Sequence, residues 1–182
     1  MTLLFLRHGQ TDWNAQNRVQ GRTDIPLNER GREQARERAA ELLEHQPPVE
    51  IICASPMKRA RETAEIIQRA LGVPLRFDGR LVEQGFGKLE GIHRTQLIGG
   101  SIAGHWDALG EAEFLRLGAE PFSALHERVG AFLDELAAAH AGQCVLVVAH
   151  GGVGRTVHRH FHGQDEKDPS KHGNAVLRTY NF

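Results

Sequence analysis

The feature that most constrains the fold is the apolar run Leu3–Leu6, which stops abruptly at Arg7, His8 and Gly9. A continuous run of this kind is typical of a strand buried on both faces, as in a parallel sheet covered by helices. In open α/β sheets, ligands bind just beyond the carboxyl ends of the strands. Arginine offers phosphate a planar set of donors, histidine can attack or donate, and glycine allows close approach. The run therefore predicts a strand leading into an anion site, although an ordinary solvated turn would also fit these three residues.

Two more apolar runs follow along the chain and end in a similar way. Ile51–Ala54 precedes Ser55 and Pro56, which we interpret as the N-cap and first residue of a helix. Cys144–Ala149 leads directly into His150. If the three predicted strands are parallel, the cationic groups that follow them should meet at one edge of the sheet and form a phosphate-sized pocket. The starts of the helices after the second and third strands would add positive dipole ends there.

Helical patterns alternate with these strands and indicate the fold class. We predict helices over about 28–45, 56–71 and 153–161, a long helix from 121 whose apolar face reaches Leu136, and further strands over 75–77 and 175–182. This alternation is typical of a three-layer α/β/α sandwich with a central, mostly parallel sheet. The pattern fades between about 78 and 118, where we expect irregular structure with one or two short helices. We interpret 1–182 as a single domain in which about 84–120 forms an irregular segment that covers the substrate.

Composition narrows the class of partner. The chain has 182 residues, 40% hydrophobic content and a formal net charge of −1, so no basic field indicates nucleic acid or a membrane surface as a partner. No apolar run is long enough to span a bilayer, and the first residues do not look like a secretory signal. Cys53 and Cys144 each fall in a predicted buried strand, which favours two small hydrophobes over a disulfide. We expect a cytoplasmic enzyme for a small molecule; the sequence does not indicate its oligomeric state.

The stretch from Arg7 to Asn14, RHGQTDWN, resembles the opening motif of the histidine phosphatase superfamily. This superfamily contains the cofactor-dependent phosphoglycerate mutases and many small phosphatases. Further stretches are similar to the family's other motifs and cover most of the chain: 17–21, 24–31, 55–64, 81–91 and 147–152. A match of this length is hard to obtain by chance.

The resemblance implies a role for each strand-end residue. His8 would be the nucleophile that forms a phosphohistidine, and Arg7, Arg59 and His150 would hold the phosphoryl group. The chemistry agrees, because phosphoryl transfer needs charge neutralised around three equatorial oxygens. Two arginines and a protonated histidine suit that task, and a second, neutral histidine suits attack. Taken singly, Arg59 could be a solvated helix residue and His150 an ordinary strand-end histidine.

Proton transfer requires a further group, because a leaving alkoxide needs a proton and the attacking water must later lose one. A carboxylic acid could serve both steps. The register of the third motif places Glu83 in this role, with Glu90 as the rival carboxylate. Glu120 resembles the glutamate of a small family motif before the long helix, and we interpret it as a charge that favours the helix N-terminus.

The resemblance also implies four substrate-binding residues around the phosphate pocket: Asn14, Gln20, Gly21 and Gly151. No metal or other cofactor is expected. His158, His160 and His162 alternate, which would suit one face of a strand, but they fall where a helix is predicted to end. Neither a cysteine nor a carboxylate lies near them at the spacing of zinc ligands.

The choice between phosphatase and mutase depends on the segment that covers the site. Mutases of this family carry a large insertion between the acid/base glutamate and the long helix, whereas 84–120 here looks short and holds only the scattered cations Lys88, Arg94 and Arg116. A shorter cover should admit water to the phosphohistidine. We therefore predict a phosphomonoesterase for small phosphorylated metabolites. The alternatives are a cofactor-dependent phosphoglycerate mutase, a protein phosphatase, and a catalytically silent phosphate-binding regulatory module.

Overall fold

A computed structural model describes residues 1–98, 111–163 and 173–182. The described residues form a sheet of five strands: β1 (Thr2–Arg7), β2 (Ile51–Ala54), β3 (Leu75–Phe77), β4 (Cys144–Ala149) and β5 (Leu177–Asn181). Their order across the sheet is β3-β2-β4-β1-β5. All neighbours pair in parallel except β1 and β5, which are antiparallel. The three apolar runs are therefore the three central strands, and the prediction of a mostly parallel sheet is confirmed.

The helices fall between the strands as the periodicity predicts. The α-helices are α1 (Asp12–Ala15), α2 (Glu29–Leu43), α3 (Lys58–Leu71), α4 (Arg94–Ile98), α5 (Glu111–Arg116), α6 (Phe122–Ala139) and α7 (Gly151–His162). Two short 3₁₀ helices, Gly79–Leu81 and Gly87–Leu89, lie in the stretch that we expected to be irregular. Part of the predicted covering segment, residues 99–110, lies outside the described residues.

The two faces of the sheet are covered by different helix pairs. In β1, Leu3 and Phe5 point into a core that contains residues of α6 and α7, whereas Leu4 and Leu6 point into a core that contains residues of α2 and α3. This alternation follows from the period of two along a strand. Because both faces are buried, the three central strands are apolar over Leu3–Leu6, Ile51–Ala54 and Cys144–Ala149. The predicted three-layer α/β/α sandwich is confirmed.

Three predicted boundaries require correction. Helix α3 begins at Lys58 with Met57 as its N-cap, not at Pro56. The hydroxyl of Ser55 is hydrogen-bonded to a histidine across the sheet edge and also accepts from the Met57 N–H at 3.4 Å. Helix α7 begins two residues earlier than predicted, at Gly151. The last strand begins at Leu177 instead of residue 175.

Two expectations from composition can be compared with the structure. Cys53 and Cys144 are both buried and free, as predicted. Within the described ranges, none of the helices has the length and apolar character needed to cross a lipid bilayer.

Candidate active site

The ends of the three central strands meet at one edge of the sheet. Arg7 is paired with Ala149 in the β1–β4 register, and the backbone N–H of His8 donates to the Ala149 carbonyl at 2.9 Å. The N–H of Ser55, just after β2, donates to the Val148 carbonyl of β4 at 3.0 Å. As a result, the imidazoles of His8 and His150 lie with their ring centroids 5.2 Å apart. The convergence that the sequence predicted is present.

The imidazole of His8 is held in one tautomer. Its side chain is only 2% exposed, and Nδ1 lies 2.7 Å from the carbonyl oxygen of Gly9. A carbonyl can only accept, so Nδ1 carries the proton and the lone pair is on Nε2. Burial lowers the pKa of His8 well below its usual value, and the charges of Arg59 and Arg7 lower it further. His8 is therefore neutral, as a nitrogen nucleophile has to be.

The loop that carries His8 packs directly against α2 at two glycines, where no larger residue would fit. A Cβ on Gly9 would overlap the carbonyl of Gly31 in α2, and a Cβ on Gly31 would overlap the backbone of Gln10. The N–H of Gly9 also donates to Thr63 Oγ1 at 3.1 Å. The Thr63 hydroxyl in turn donates to the Arg59 carbonyl at 2.7 Å. Helices α2 and α3 thus fix the position of the His8 loop.

Arg59 is a fully buried cation, 1% exposed. Its Nη1 donates to the Thr23 carbonyl at 2.9 Å and its Nη2 to the Gly21 carbonyl at 2.7 Å. Gly21 has φ +56°, and a Cβ there would overlap the carboxylate of Glu90. Among the described residues, the Nε of Arg59 has no hydrogen-bond partner. The guanidinium is therefore oriented by two backbone carbonyls while one donor stays available.

His150 lies in the same buried region, with 0% exposure. Its Nε2 is 2.8 Å from the hydroxyl oxygen of Ser55, and its Nδ1 has no hydrogen-bond partner among the described residues. Burial lowers the pKa of His150 well below its usual value, and the charges of Arg59 and Arg7 add to the effect. We expected a protonated histidine here. In the protein alone the imidazole is neutral, because it shares a desolvated space with two guanidinium groups.

The carboxylate of Glu83 is placed by backbone donors. Its Oε1 accepts from the N–H groups of Gln84 at 2.9 Å and Gly152 at 3.0 Å, and its Oε2 lies 3.2 Å from the same Gly152 nitrogen. Gly152 is the second residue of α7, and a Cβ at this position would overlap Oε1. The positive end of α7 is thus directed at Glu83, whereas we expected it to face the phosphate.

The charge of Arg7 acts on both histidines and on Glu83. Burial lowers the pKa of its guanidinium to about 10, the charge of Glu83 opposes the shift, and the charges of Arg94, Arg155 and Arg59 add to it. Arg7 therefore stays positively charged at neutral pH. Its position at the end of β1 puts it next to both the carboxylate and the two histidines.

The rival carboxylate, Glu90, has a different position. Its two oxygens accept from the backbone N–H groups of Arg22, Thr23 and Phe86 at 2.9 Å each. It also accepts from the Thr23 hydroxyl at 2.5 Å. These bonds connect the 3₁₀ helix at 87–89 to the loop at 20–23. Both carboxylate oxygens of Glu90 are therefore used as acceptors within the protein. The geometry therefore favours Glu83 over Glu90 as the carboxylate near the phosphate pocket.

Glu120 differs from the expectation of a charge at a helix N-terminus. Its Oε1 and Oε2 accept from Nε and Nη2 of Arg128 at 2.8 and 2.9 Å, and Oε1 also pairs with Arg22 at 3.0 Å. Both arginines in turn approach the backbone carbonyl of Glu83, at 3.3 Å for Arg128 and 3.4 Å for Arg22. Glu120 is thus the centre of an ion-pair network behind the Glu83 backbone.

A cavity of about 530 Å³ opens beside the strand ends. Asn14 and Gly151, two of the four predicted substrate-binding residues, line it together with Arg7 and Glu83. The other two have clear local partners. Gln20 is buried, and its Oε1 accepts from Thr11 Oγ1 at 2.9 Å, whereas Gly21 holds Arg59 through its carbonyl.

Sequence reasoning missed three residues of this region. Arg155 lines the cavity four positions after Gly151 in α7, a spacing that puts both on one helix face and could have identified it. Asn174 also lines the cavity, and its Nδ2 lies 3.0 Å from Asn14 Oδ1 and 3.2 Å from the His8 carbonyl. No local pattern marks Asn174. Ser55 was predicted only as a helix cap.

The alternating histidines lie on helix α7 and not on a strand. The rings of His158 and His162 are 4.5 Å apart, and both lie near the ring of Tyr180. Within the described part of the chain, three or more histidine, cysteine, aspartate or glutamate side chains nowhere come together in a group that could hold a metal ion.

Residues 3–181 match the family model of the histidine phosphatase superfamily, branch 1. The chain belongs to this superfamily. A relative from Bacillus subtilis (strain 168), named "Uncharacterized phosphatase PhoE", is 34% identical over 181 residues, which are 97% of this chain and 86% of the relative. A relative from Escherichia coli (strain K12 / DH10B), named "Probable phosphoglycerate mutase GpmB", is 34% identical over 165 residues, which are 83% of this chain and 70% of the relative.

Among solved structures, a mycobacterial glucosyl-3-phosphoglycerate phosphatase in complex with VO3 is similar to this histidine phosphatase. It has a TM-score of 0.80 and 28% identity, over 98% of this chain and 90% of that one. The resemblance seen in the sequence motifs is thus confirmed. The phosphatases among the relatives and solved structures also support a phosphatase over the alternatives.

Proposed function

We propose that this protein is a phosphomonoesterase that hydrolyses small phosphorylated metabolites through a phosphohistidine formed on His8. The observation that carries the proposal is the state of the His8 imidazole, which is buried, neutral and hydrogen-bonded through Nδ1 to the Gly9 carbonyl. That tautomer leaves the Nε2 lone pair for attack on phosphorus. A binding module would need cations but no neutral nucleophile, so this arrangement favours turnover over a silent regulatory role.

In the first step, His8 Nε2 forms a bond to phosphorus while the ester P–O bond breaks. Arg7 and Arg59 stabilise the negative charge on the non-bridging oxygens, and their orientation is set before the substrate binds. Glu83 holds a proton in the substrate complex in this mechanism and donates it to the leaving oxygen, which departs as an alcohol. In the second step, water attacks the phosphohistidine and Glu83 takes its proton. The N–P bond breaks, the lone pair returns to Nε2, and inorganic phosphate leaves.

We assign His150 the role of a neutral donor to a phosphoryl oxygen. The hydroxyl of Ser55 lies 2.8 Å from Nε2 and donates to it in this assignment, which puts the imidazole proton on Nδ1. This proton is available, because Nδ1 has no hydrogen-bond partner among the described residues. A bound phosphate dianion would also oppose the arginine charges that lower the pKa of His150.

The four predicted binding residues divide into two kinds in this proposal. Asn14 and Gly151 line the cavity and would contact substrate directly. Asn14 Oδ1 accepts from the Thr11 N–H at 3.1 Å, so the amide presents its NH₂ group for a phosphoryl oxygen. Gln20 and Gly21 would contribute by holding Thr11 and Arg59.

The proposal keeps a single domain over 1–182, and the cavity lining by Phe86 and Arg94 supports a covering role for the described part of the segment 84–120. We also propose a cytoplasmic location, which the two free buried cysteines support. A partner of small size is proposed instead of nucleic acid or a membrane, consistent with the net charge of −1. The mechanism above uses only side chains of this chain, and we propose that turnover requires no metal ion.

The test is release of inorganic phosphate from a panel of phosphomonoesters, measured with chelator present and with no bisphosphoglycerate added. p-Nitrophenyl phosphate reports the chemistry, and 3-phosphoglycerate is followed for both phosphate release and conversion to 2-phosphoglycerate. Acid-sensitive, base-stable radiolabel on the protein after a rapid quench would identify the phosphohistidine.

Phosphate release under these conditions, with label on wild type and none on a His8→Ala variant, is the expected result. Isomerisation of 3-phosphoglycerate that depends strictly on bisphosphoglycerate would instead show a mutase. Loss of all turnover in the presence of chelator would contradict the metal-free mechanism. No turnover of any ester, with intact phosphate binding, would favour the regulatory module.

A further inference from the structure

The peptide that joins Glu83 to Gln84 is held at both of its ends. Its N–H donates to the Glu83 carboxylate at 2.9 Å, so the orientation of this peptide helps to set the position of the carboxylate. Its carbonyl oxygen accepts from Nη2 of Arg128 at 3.3 Å and from Nε of Arg22 at 3.4 Å. A peptide is planar, so a rotation that breaks the bonds at one end also breaks the bond at the other. The two arginines therefore act on the carboxylate through one rigid amide.

The side chain of Glu120 keeps both arginines in this place. Its two oxygens accept from Arg128 at 2.8 and 2.9 Å, a two-pronged pairing that fixes the plane of the guanidinium. Oε1 also accepts from Arg22 at 3.0 Å. Burial by itself would raise the pKa of Glu120, but the hydrogen bonds and charge of Arg128 and the charge of Arg22 hold it below its usual value. Glu120 is therefore ionised at neutral pH.

The backbone of Glu120 holds the two residues that follow Glu83. Its N–H donates to the Gly85 carbonyl at 2.8 Å, and its carbonyl accepts from Gln84 Nε2 at 2.8 Å. Its Oε2 also accepts from the Gly85 N–H at 3.3 Å. Arg128 lies in the second turn of α6, so the segment after Glu83 is attached at several points to the start of this long, core-packed helix.

An ion pair in this position is weak evidence for a role in stability alone. The side chains of Glu120 and Arg128 are 11% and 17% exposed, and desolvation of two charges offsets much of their attraction. What distinguishes the pair is where its remaining bonds are directed, because they end on the peptide that carries the Glu83 carboxylate. None of Glu120, Arg128 and Arg22 belongs to the described lining of the 530 Å³ cavity, so they act on that carboxylate from behind.

We propose that Glu120 and Arg128, together with Arg22, are positioning residues that hold the Glu83 carboxylate where it can exchange a proton with the leaving oxygen. This inference rests on the proposed function, in which Glu83 moves that proton. It adds an ion pair to the machinery of the reaction without any contact between that pair and the substrate.

The kinetic test uses substitutions that change as little as possible. Arg128→Lys keeps the positive charge, but a single nitrogen does not reproduce the planar donors that bind Glu120 and the Glu83 carbonyl together. Glu120→Gln removes the negative charge at nearly constant shape. The matched control is Glu135→Gln, which breaks an exposed ion pair with Arg80 on the same helix α6.

The expected signature is a loss that depends on the leaving group. In Arg128→Lys and Glu120→Gln, kcat/KM for an alkyl phosphate should fall by about tenfold to 10²-fold, up to the cost of a misplacement near 1 Å. p-Nitrophenyl phosphate should change by less than about threefold, because its leaving group departs without a proton. Glu135→Gln should keep both rates. Equal losses on the two esters, in a protein where Glu83→Gln separates them, would overturn the inference.

A second readout does not depend on turnover. The N–H of Gly152 lies in the first turn of α7, where no carbonyl of the helix can accept from it, and it donates to the Glu83 carboxylate. Its hydrogen exchange, followed by ¹⁵N NMR, therefore reports the position of the carboxylate. Exchange should become about tenfold faster in Arg128→Lys and Glu120→Gln, the scale of a hydrogen bond to a charged group. Glu83→Ala sets the upper limit.

The exchange measurement separates the two proposals. Unchanged exchange of Gly152 in both variants would overturn the inference and leave the phosphatase standing. If Glu83→Gln does not separate the esters, or if no ester is turned over, exchange decides alone. Faster exchange in Arg128→Lys and Glu120→Gln, absent from Glu135→Gln, would then support the positioning of the carboxylate without its role in proton transfer.

Discussion

Two regions at the strand ends differ in how they are built. The floor, which we define as the buried residues His8, Arg59 and His150 and which does not belong to the described lining of the cavity, is at most 2% exposed, and backbone carbonyls or a buried hydroxyl orient each side chain. The rim, which we define as Arg94 and Arg155, consists of long side chains on helix surfaces, with Arg94 exposed. A group that must stay aligned with phosphorus needs a rigid floor. Side chains on the rim carry no such constraint, and substitutions there leave the core intact.

The contrast extends to electrostatics. On the floor, desolvation and neighbouring arginines keep both histidines neutral, so the pocket is positive through its guanidinium groups alone. The rim adds positive charge that acts on Arg7 from a distance. In the proposed mechanism the chemistry depends on rigid, desolvated groups and less on the exposed side chains around them, and the following changes test this from the largest expected effect to the smallest.

Replacing the proposed nucleophile, His8, should abolish turnover. His8→Ala should lower kcat for p-nitrophenyl phosphate at least about 10³-fold, because no other group forms the covalent intermediate. The measurement is phosphate release together with thermal unfolding by circular dichroism. His160→Ala, at an exposed position of α7, is the control and should keep its rate. Residual activity of His8→Ala within tenfold of wild type would show that His8 does not attack.

Replacing the proposed proton donor, Glu83, should lower the rate for esters with poor leaving groups more than for esters with good ones. Glu83→Gln should lower kcat/KM for an alkyl phosphate by roughly 10²–10⁴-fold, since the alkoxide then leaves without a proton. p-Nitrophenolate is a good leaving group and should show a much smaller loss. In Glu90→Gln, any loss should be equal for the two esters, because Glu90 binds backbone N–H groups. Equal losses in Glu83→Gln would mean that Glu83 has only a structural role.

Adjacent glycines at the start of α7 offer a sharper test of how closely the Glu83 carboxylate must be positioned. A Cβ at Gly152 overlaps Glu83 Oε1, whereas a Cβ at Gly151 would have its nearest contacts at 3.8 Å, to Arg7 Nε, and 3.9 Å, to Glu83 Oε2. Gly152→Ala should therefore displace the carboxylate and lower kcat by about 10²-fold, the cost of a misplacement near 1 Å. Gly151→Ala should cost much less. The same loss in both variants would show that the position of the Glu83 carboxylate is not critical.

The neutral histidines should make the folded state sensitive to acid. Unfolded histidine titrates near its usual pKa of 6.5, whereas the pKa of folded His8 is lowered well below that value. Below about pH 6.5 the unfolded state therefore binds more protons, and stability falls by roughly 1.4 kcal/mol per pH unit for each such group. Urea unfolding of wild type and His8→Gln at pH 7 and pH 5.5 measures this. The variant should lose less stability on acidification, and identical losses would contradict a neutral His8.

Much of this protein could be predicted from local sequence. The apolar runs identify the three central strands, because a strand with both faces buried must be apolar at every position. Residues that directly follow a strand, such as Arg7, His8 and His150, could be placed at one edge as soon as the strands were taken as parallel. Arg59 and Glu83 required the family resemblance, since nothing in a single helix or loop indicates which charged residue faces the site.

Other features were decided by the tertiary structure. The neutral state of His150 in the protein alone depends on burial and on the charges of Arg59 from α3 and Arg7 from β1, and neither contact is visible in the sequence around His150. Ser55 looked like a helix cap until the neighbouring strand brought His150 within 2.8 Å of its hydroxyl. The sequence by itself determined the strands, the order of the motifs and the kind of chemistry, because these depend on periodicity and on residues adjacent in the chain. Which carboxylate faces the phosphate pocket, which histidine tautomer is present and which ion pair lies behind Glu83 are set by contacts between distant residues, which only the folded chain specifies.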